Sequence, residues 1–181
     1  MLKVGDILIA EPFLGDDHFE RSVILLGNYA SEGAFGFVIN KKSNLLLSDV
    51  SEEMKNFEVP LFIGGPVEQD TLHFIYRNVP PLEGATLLKD NLYWGGDFEQ
   101  LKIMLRNNLI TVNDIRFFLG YSGWSAGQLD EEMNKKSWIS GTVSVEDIFD
   151  TDINELWRLV LKNMGGKYKV LANYPIDPRL N

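Results

Sequence analysis

Along the first third of the chain the apolar positions come in short, largely β-branched runs. Ile7-Leu8-Ile9-Ala10 follows Asp6 and closes at Glu11-Pro12. Ser22–Leu26 and Ala34–Asn40 are two further runs, separated by the turn-rich stretch Gly27–Gly33. Short runs bounded by turn residues predict strands, and the second and third are expected to form a hairpin across 27–33. Gly36 sits inside the third run, where it predicts a bulge or a close backbone approach.

Farther along, the period changes. Ser48–Phe57 predicts a short helix with Ser48 as its N-cap and acidic residues in its first turns. Pro60–Ile63 predicts a buried strand ending in Gly64-Gly65-Pro66. Leu72–Tyr76, Ala85–Leu88 and Ile115–Leu119 predict three more strands. Phe98, Leu101, Met104 and Leu105 fall at helical spacing within Asp97–Asn107, and Asp97 with Gln100 forms a capping-box pattern. Gln128–Asn134 predicts another helix, and Ser137–Ser140 and Thr142–Val145 extended chain. A last helix over Asp152–Met164 is expected to stop at Gly165-Gly166. There are no repeats or linkers, and strands outnumber helices without regular βαβ alternation. The expected class is therefore α+β, a single domain with a mixed or antiparallel sheet and several short helices. The domain is expected over residues 1–165, with the tail 166–181 packed on the surface or loose.

Composition narrows the chemistry. The 181 residues carry a formal net charge of -9, and the longest basic clusters are the pairs Lys41-Lys42 and Lys135-Lys136. Such a surface repels a phosphate backbone, so no direct nucleic-acid binding is expected. With no cysteine, disulfides, thiol catalysis and Cys-liganded metals are excluded. The first residues, interrupted by Asp6 and Glu11, do not read as a signal peptide, and no apolar run reaches membrane-spanning length. The expectation is a soluble cytoplasmic protein, with no membrane partner.

One motif invites an enzyme reading. Gly123-Trp124-Ser125-Ala126-Gly127 spells G-x-S-x-G, the nucleophile elbow of serine hydrolases, between a predicted strand and a predicted helix. A triad needs a base, which in elbow folds follows the serine in the chain. Here the histidines, His18 and His73, both precede it. The same letters give Ser125-Ala126-Gly127-Gln128, S-x-x-Q, with Ser125 as a helix N-cap. The cap is the favoured reading, and a hydrolase using Ser125 or Ser122 is the alternative. Asp16-Asp17-His18 with Glu20 holds metal-ligand types without a second cluster to complete a shell. Gly64-Gly65-Pro66 reads as a tight turn. Trp94-Gly95-Gly96-Asp97 leads into a helix whose cap Asp97 already supplies the negative charge. Neither metal nor cofactor is called for.

Five blocks in order resemble one bacterial family, AlgH/YqgE. They are Phe19–Leu26, Glu32–Asn40, Gly64-Gly65-Pro66-Val67, Gly120–Trp124 with Gly127–Glu132 and Trp138, and Phe149-Asp150-Thr151 with Trp157. The resemblance implies a compact α+β domain with a complex, strongly coiled mixed sheet and no established enzymatic activity. Members are often labelled transcriptional regulators. Many have glycine at the position of Ser125, which this pattern therefore does not require. The tail after Gly165, including Tyr174–Pro178, lies outside the common pattern.

The residue chemistry suggests a binding cleft where polar and amphipathic side chains lie beside glycine-rich turns: Arg21, Ser22, Asn40, Gly64, Gly65, Tyr121, Ser122, Trp124 and Gln128. Arg21 is its strong cation, suited to a carboxylate or phosphate. The competing structural role for Arg21 is an internal pair with Asp130 or Glu131, and for Trp124 it is filling core. The functional expectation is a non-catalytic binding or regulatory protein that works through a protein partner or a small anionic ligand.

Overall fold

The structure, a computed structural model, describes residues 2–175. Its strands are β1 (Ile7–Ala10), β2 (Val23–Ala30), β3 (Gly33–Val38), β4 (Lys42–Leu46), β5 (Pro60–Ile63), β6 (Val67–Tyr76), β7 (Thr86–Lys89), β8 (Leu92–Trp94), β9 (Ile115–Ser125) and β10 (Trp138–Gly141). Its helices are α1 (Leu47–Val50), α2 (Phe98–Arg106), α3 (Gln128–Asn134), α4 (Val145–Asp150), α5 (Ile153–Met164) and α6 (Gly166–Leu171). The strands join in the order β10-β1-β2-β3-β9-β6-β8-β7, with β4 and β5 branching off at β9. All these pairings are antiparallel except β5 on β9, so the sheet is mixed. The expected α+β class with a mixed sheet is what the chain adopts.

Why the early runs are continuously apolar is now plain. Ile7, Ile9, Val23, Leu25, Phe37 and Ile39 face one core, closed by Leu156, Trp157, Val160 and Leu161 of α5. The alternate residues Leu8, Ala10, Ile24, Leu26 and Val38 face a second core with Trp124, Leu129 and Trp138. A sheet covered on both faces needs apolar residues at every position, not every other one. A third core gathers Leu101 and Leu105 of α2 with Leu61, Phe74, Tyr76 and Phe117.

The long strand β9 organises the site region. Its first half pairs with β5 and β6, and its last four residues pair with β3. The change of partner falls at Gly120, whose φ is +64°. A Cβ there would sit 2.5 Å from the Val67 carbonyl oxygen, so only glycine permits the bend. The strand predicted to stop at Leu119 therefore runs to Ser125, through the glycine-rich block. Pairing to β3 overrides the local turn signal.

Other expectations are corrected. The hairpin is present, but β2 runs through a bulge between Leu26 and Asn28 and turns only at Ser31-Glu32. The helix expected over Ser48–Phe57 with Ser48 as cap is broken. Helix α1 begins one residue earlier, and Ser51 is extended (φ -138°) before a 3-10 turn over Glu52–Met54. Thr142–Val145 is not all extended: Ser144 caps α4 by accepting from the Asp147 N–H at 2.9 Å, so Val145 is helical. Strands β4 and β8 and helices α4 and α6 had no counterpart in the sequence reading. Asp97 caps α2 as predicted, accepting from the Gln100 N–H at 2.8 Å. Met164 ends α5 at Gly165 as predicted, but α6 follows at once. Ala172 after it is fully buried, so 166–175 contributes to the packed domain. The rest of the tail, 176–181, lies outside the described residues.

Candidate functional site

Asn40 builds the local frame of Arg21. Its amide oxygen accepts from the Val23 N–H at 2.8 Å, and its nitrogen donates to the Arg21 carbonyl at 2.9 Å. This two-point clasp holds Arg21 in the left-handed region at φ 50°, a costly conformation for a long side chain. The half-buried Arg21 guanidinium stacks 4.7 Å from the Trp157 ring and donates to the Tyr174 carbonyl at 2.5 Å. It pairs with neither Asp130 nor Glu131. Asp130 instead accepts from the Tyr29 hydroxyl at 2.5 Å.

Around Arg21 lies a cavity of about 280 Å³ lined by Glu20, Asn40, Lys41, Asn154, Glu155, Trp157 and Arg158, among others. Three cations, Arg21, Lys41 and Arg158, thus meet two carboxylates. Burial, then the Arg158 charge, holds the Arg21 guanidinium below its usual pKa, with Glu20 opposing. Burial likewise lowers Lys41, against Glu20, Asp16 and Asp17. The Lys41 ammonium donates to the Asp17 and His18 carbonyls. Lys41 and Arg158 were not singled out from the sequence, although Lys41 adjoins Asn40.

The other expected site residues lie elsewhere. Gly64 and Gly65 are a packing junction. A Cβ on Gly64 would stand 2.2 Å from the Gly120 oxygen, and one on Gly65 would stand 2.3 Å from the Tyr121 carbonyl carbon. The Gly64 carbonyl accepts from the Val38 N–H and from the buried Ser122 hydroxyl at 3.1 Å. Ser22 is fully buried, and its hydroxyl has no partner among the described residues.

Trp124 and Gln128 line a cavity of about 440 Å³ with Phe19, Pro66, Glu132 and Trp138. There one Glu132 oxygen accepts from both indole N–H groups, at 2.8 Å from Trp124 and 2.7 Å from Trp138. The other accepts from the Gln128 amide at 2.9 Å. Trp124 does fill core. Tyr121 borders a third cavity, beside Phe35. The nine residues are therefore shared among separate places and do not line a single cleft.

The serine of the G-x-S-x-G stretch has a settled partner. Ser125 ends β9 with its N–H 3.0 Å and its hydroxyl 3.2 Å from the Gln128 amide oxygen. The α3 N-cap is Gly127, with φ 75°, and not Ser125. Half of the predicted capping box exists, the half in which Gln128 reaches back. The His73 ring nitrogen Nε2 lies 3.0 Å from the Thr71 hydroxyl, and His18 Nδ1 lies 3.4 Å from Asp16.

A second cation system was also missed. Arg77 donates to Asp114 at 2.9 Å and to both oxygens of Asp150, tying the Phe149-Asp150-Thr151 block to β6. Arg116, almost wholly buried, lies 4.4 Å from the Phe62 ring and donates to the Ile39 carbonyl at 2.7 Å. Burial and the nearby Arg77 push its pKa down to about 10.

The mixed sheet, the bent central strand and the small surface cavities define a single-domain α+β protein of unassigned chemistry. The chain belongs to the AlgH-like family, whose model matches residues 7–169. A protein named UPF0301 protein from Cytophaga hutchinsonii is 51% identical over 100% of both chains. Another of that name from Parabacteroides distasonis is 40% identical, over 98% of this chain and 90% of the relative. Among solved structures, protein DIP2367 from Corynebacterium diphtheriae superposes with TM-score 0.78 at 22% identity, over 96% of this chain and 93% of that one. AlgH from Pseudomonas aeruginosa superposes with TM-score 0.75 at 24% identity, over 94% and 93%. These likenesses establish the fold. No described helix is long and apolar enough to cross a membrane.

Proposed function

We propose that this chain is a non-catalytic binding protein that takes a small anion in the Arg21 cavity, with any regulatory effect passed on through that ligand or a protein partner. The observation that carries the reading is the meeting of Arg21, Lys41 and Arg158 in one cavity of a chain with net charge -9. Two carboxylates, Glu20 and Glu155, share the cavity, and Glu155 pairs with Arg158, which leaves a net positive charge, partly desolvated, for an anion to offset. Arg21 makes one hydrogen bond among the described residues, at Tyr174, and a guanidinium carries five N–H donors. Its planar fork suits a carboxylate or phosphate.

The regulator label of the family fits an indirect role better than direct duplex binding, because the overall charge opposes a phosphate backbone. The hydrolase alternative draws no support from Ser122 or Ser125, whose hydroxyls bond to the Gly64 carbonyl and the Gln128 amide oxygen.

Calorimetric titration with inorganic phosphate and with citrate tests the proposal. Saturable binding that is lost in Arg21→Met and Lys41→Met, each still folded, supports it. Absence of binding, or binding unchanged in both variants, overturns it. Stoichiometric labelling of Ser125 by a fluorophosphonate would restore the enzyme reading.

A further inference from the structure

A second feature stands apart from the Arg21 cavity. Four half-buried rings meet edge to face or tilted on the surface between β3, β6, β8 and β9. Phe35 lies 4.9 Å from Trp94 and 6.2 Å from Tyr121, and His73 lies 5.9 Å from Tyr121 and 6.4 Å from Trp94. Buried Phe37 is in ring contact with Phe35, His73 and Trp94. Two glycine features set the arrangement. The β2 bulge brings Gly27 under Phe35, where a Cβ would stand 2.4 Å from the ring. The bend at Gly120 directs the β9 segment that carries Tyr121 toward β3. Phe35, Trp94 and Tyr121 pack inward against the main core, and the parts they leave open rim the cavities beside them.

Charge says what the surface would contact. Beside Phe35 and Tyr121 opens a cavity of about 470 Å³, whose lining includes Asn28, Glu32 and Val67 and no lysine or arginine. His73 and Trp94 line a neighbouring cavity with Leu72, Phe74 and Phe98, where burial lowers the His73 pKa and the Glu68 carboxylate opposes that fall. Aromatic faces attract cations, and a carboxylate at the rim adds to that attraction. An anionic occupant would meet Glu32, and a purely apolar one would leave Glu32 and Asn28 without partners. Arginine fits better than lysine because its flat, weakly hydrated guanidinium stacks on rings while donating to a carboxylate in its own plane.

We infer that the Phe35–Tyr121 basin is a docking surface for an arginine side chain presented by a partner polypeptide, with its guanidinium stacked on the rings and paired to Glu32. The inference does not depend on the anion cavity at Arg21.

The test is an amide NMR titration of the full chain, near physiological ionic strength, with the peptide acetyl-Gly-Arg-Gly-Arg-Gly-amide. The control peptide carries citrulline, neutral and of the same shape, in place of arginine. Shifts are expected at Glu32, Phe35 and Tyr121 with the arginine peptide only. The exposed change Glu32→Gln removes the ion pair and should weaken binding about 1.5- to fivefold, the range for an exposed charge pair, and Arg21→Met should leave it unchanged. Equal response to the citrulline peptide, no response to either, or shifts spread over the acidic surface and indifferent to Glu32→Gln would each overturn the inference.

Discussion

Replacing Glu132 by alanine tests whether its carboxylate is the keystone of the Gly127–Glu132 block. In the structure it holds the indole N–H groups of Trp124 and Trp138, whose side chains are 7% and 5% exposed. Truncation leaves two donors without a protein acceptor. A buried donor so stranded costs about 1–3 kcal/mol, and two in a half-open setting, where water can re-enter, should cost about 3 kcal/mol together. For a domain of this size that lowers Tm by about 6–12 °C. The Glu132→Gln variant keeps an acceptor for the indoles but sets its amide against that of Gln128, so it should fall between. Urea and thermal unfolding followed by far-UV circular dichroism give the numbers. The decisive arm is a double-mutant comparison. With Trp124→Phe and Trp138→Phe already in place there is no indole donor to strand, and Glu132→Ala should then cost less than about 1 kcal/mol. Equal losses in both backgrounds, or a loss below about 1 kcal/mol in the native one, would refute the reasoning.

Acid stability should depend on Asp114. Burial acts to raise its pKa, but hydrogen bonds from Thr111, Arg77 and Asn78 outweigh it and hold the carboxyl below its ordinary value. With the folded pKa depressed, this stabilisation is present above the unfolded value of about 3.9 and is lost as pH falls through the folded one. Asp114→Asn should therefore flatten the decline of stability below about pH 4, as measured by urea midpoints across pH. Gly64→Ala should be among the most damaging single changes, at about 3 kcal/mol or more, because its Cβ would meet the backbone oxygen of Gly120. A urea midpoint near wild type would refute that clash. Ser22→Ala removes a buried hydroxyl that has no partner among the described residues and should leave stability unchanged or raise it by about 1 kcal/mol, whereas clear destabilisation would reveal an acceptor for that hydroxyl. Ser125→Ala should shift stability by no more than about 0.5 kcal/mol, since Ser125 is exposed and α3 is capped by Gly127.

What could be read in the sequence was whatever is decided locally. The strand runs at Ile7–Ala10 and Val23–Leu26, the amphipathic faces of α2 and α5, the Asp97 cap and the stop at Gly165 each rest on residues within a turn or two of one another. Periodicity and cap chemistry act at that range. The mixed α+β class followed from their order, and the five blocks carried the family resemblance. Tertiary contacts decided the rest. Whether Leu119 ended a strand depended on β3 lying 86 to 92 residues earlier in the chain, ready to pair with Ser122–Ser125. Which residue capped α3 depended on where that strand released the chain. The proposed cleft of nine residues failed to assemble because chemical type says nothing of direction. Gly64 and Ser122 were used to bring backbones together, while Arg21 was turned toward Trp157, Lys41 and Arg158. Glu132 could be seen as acidic in a helix, but its role exists only because two tryptophans from β9 and β10 aim their N–H groups at one oxygen. The three residues stand only eight and six positions apart, yet the direction of each indole is set by the pairing of β9 with β3 and of β10 with β1, which no local pattern of residue types encodes.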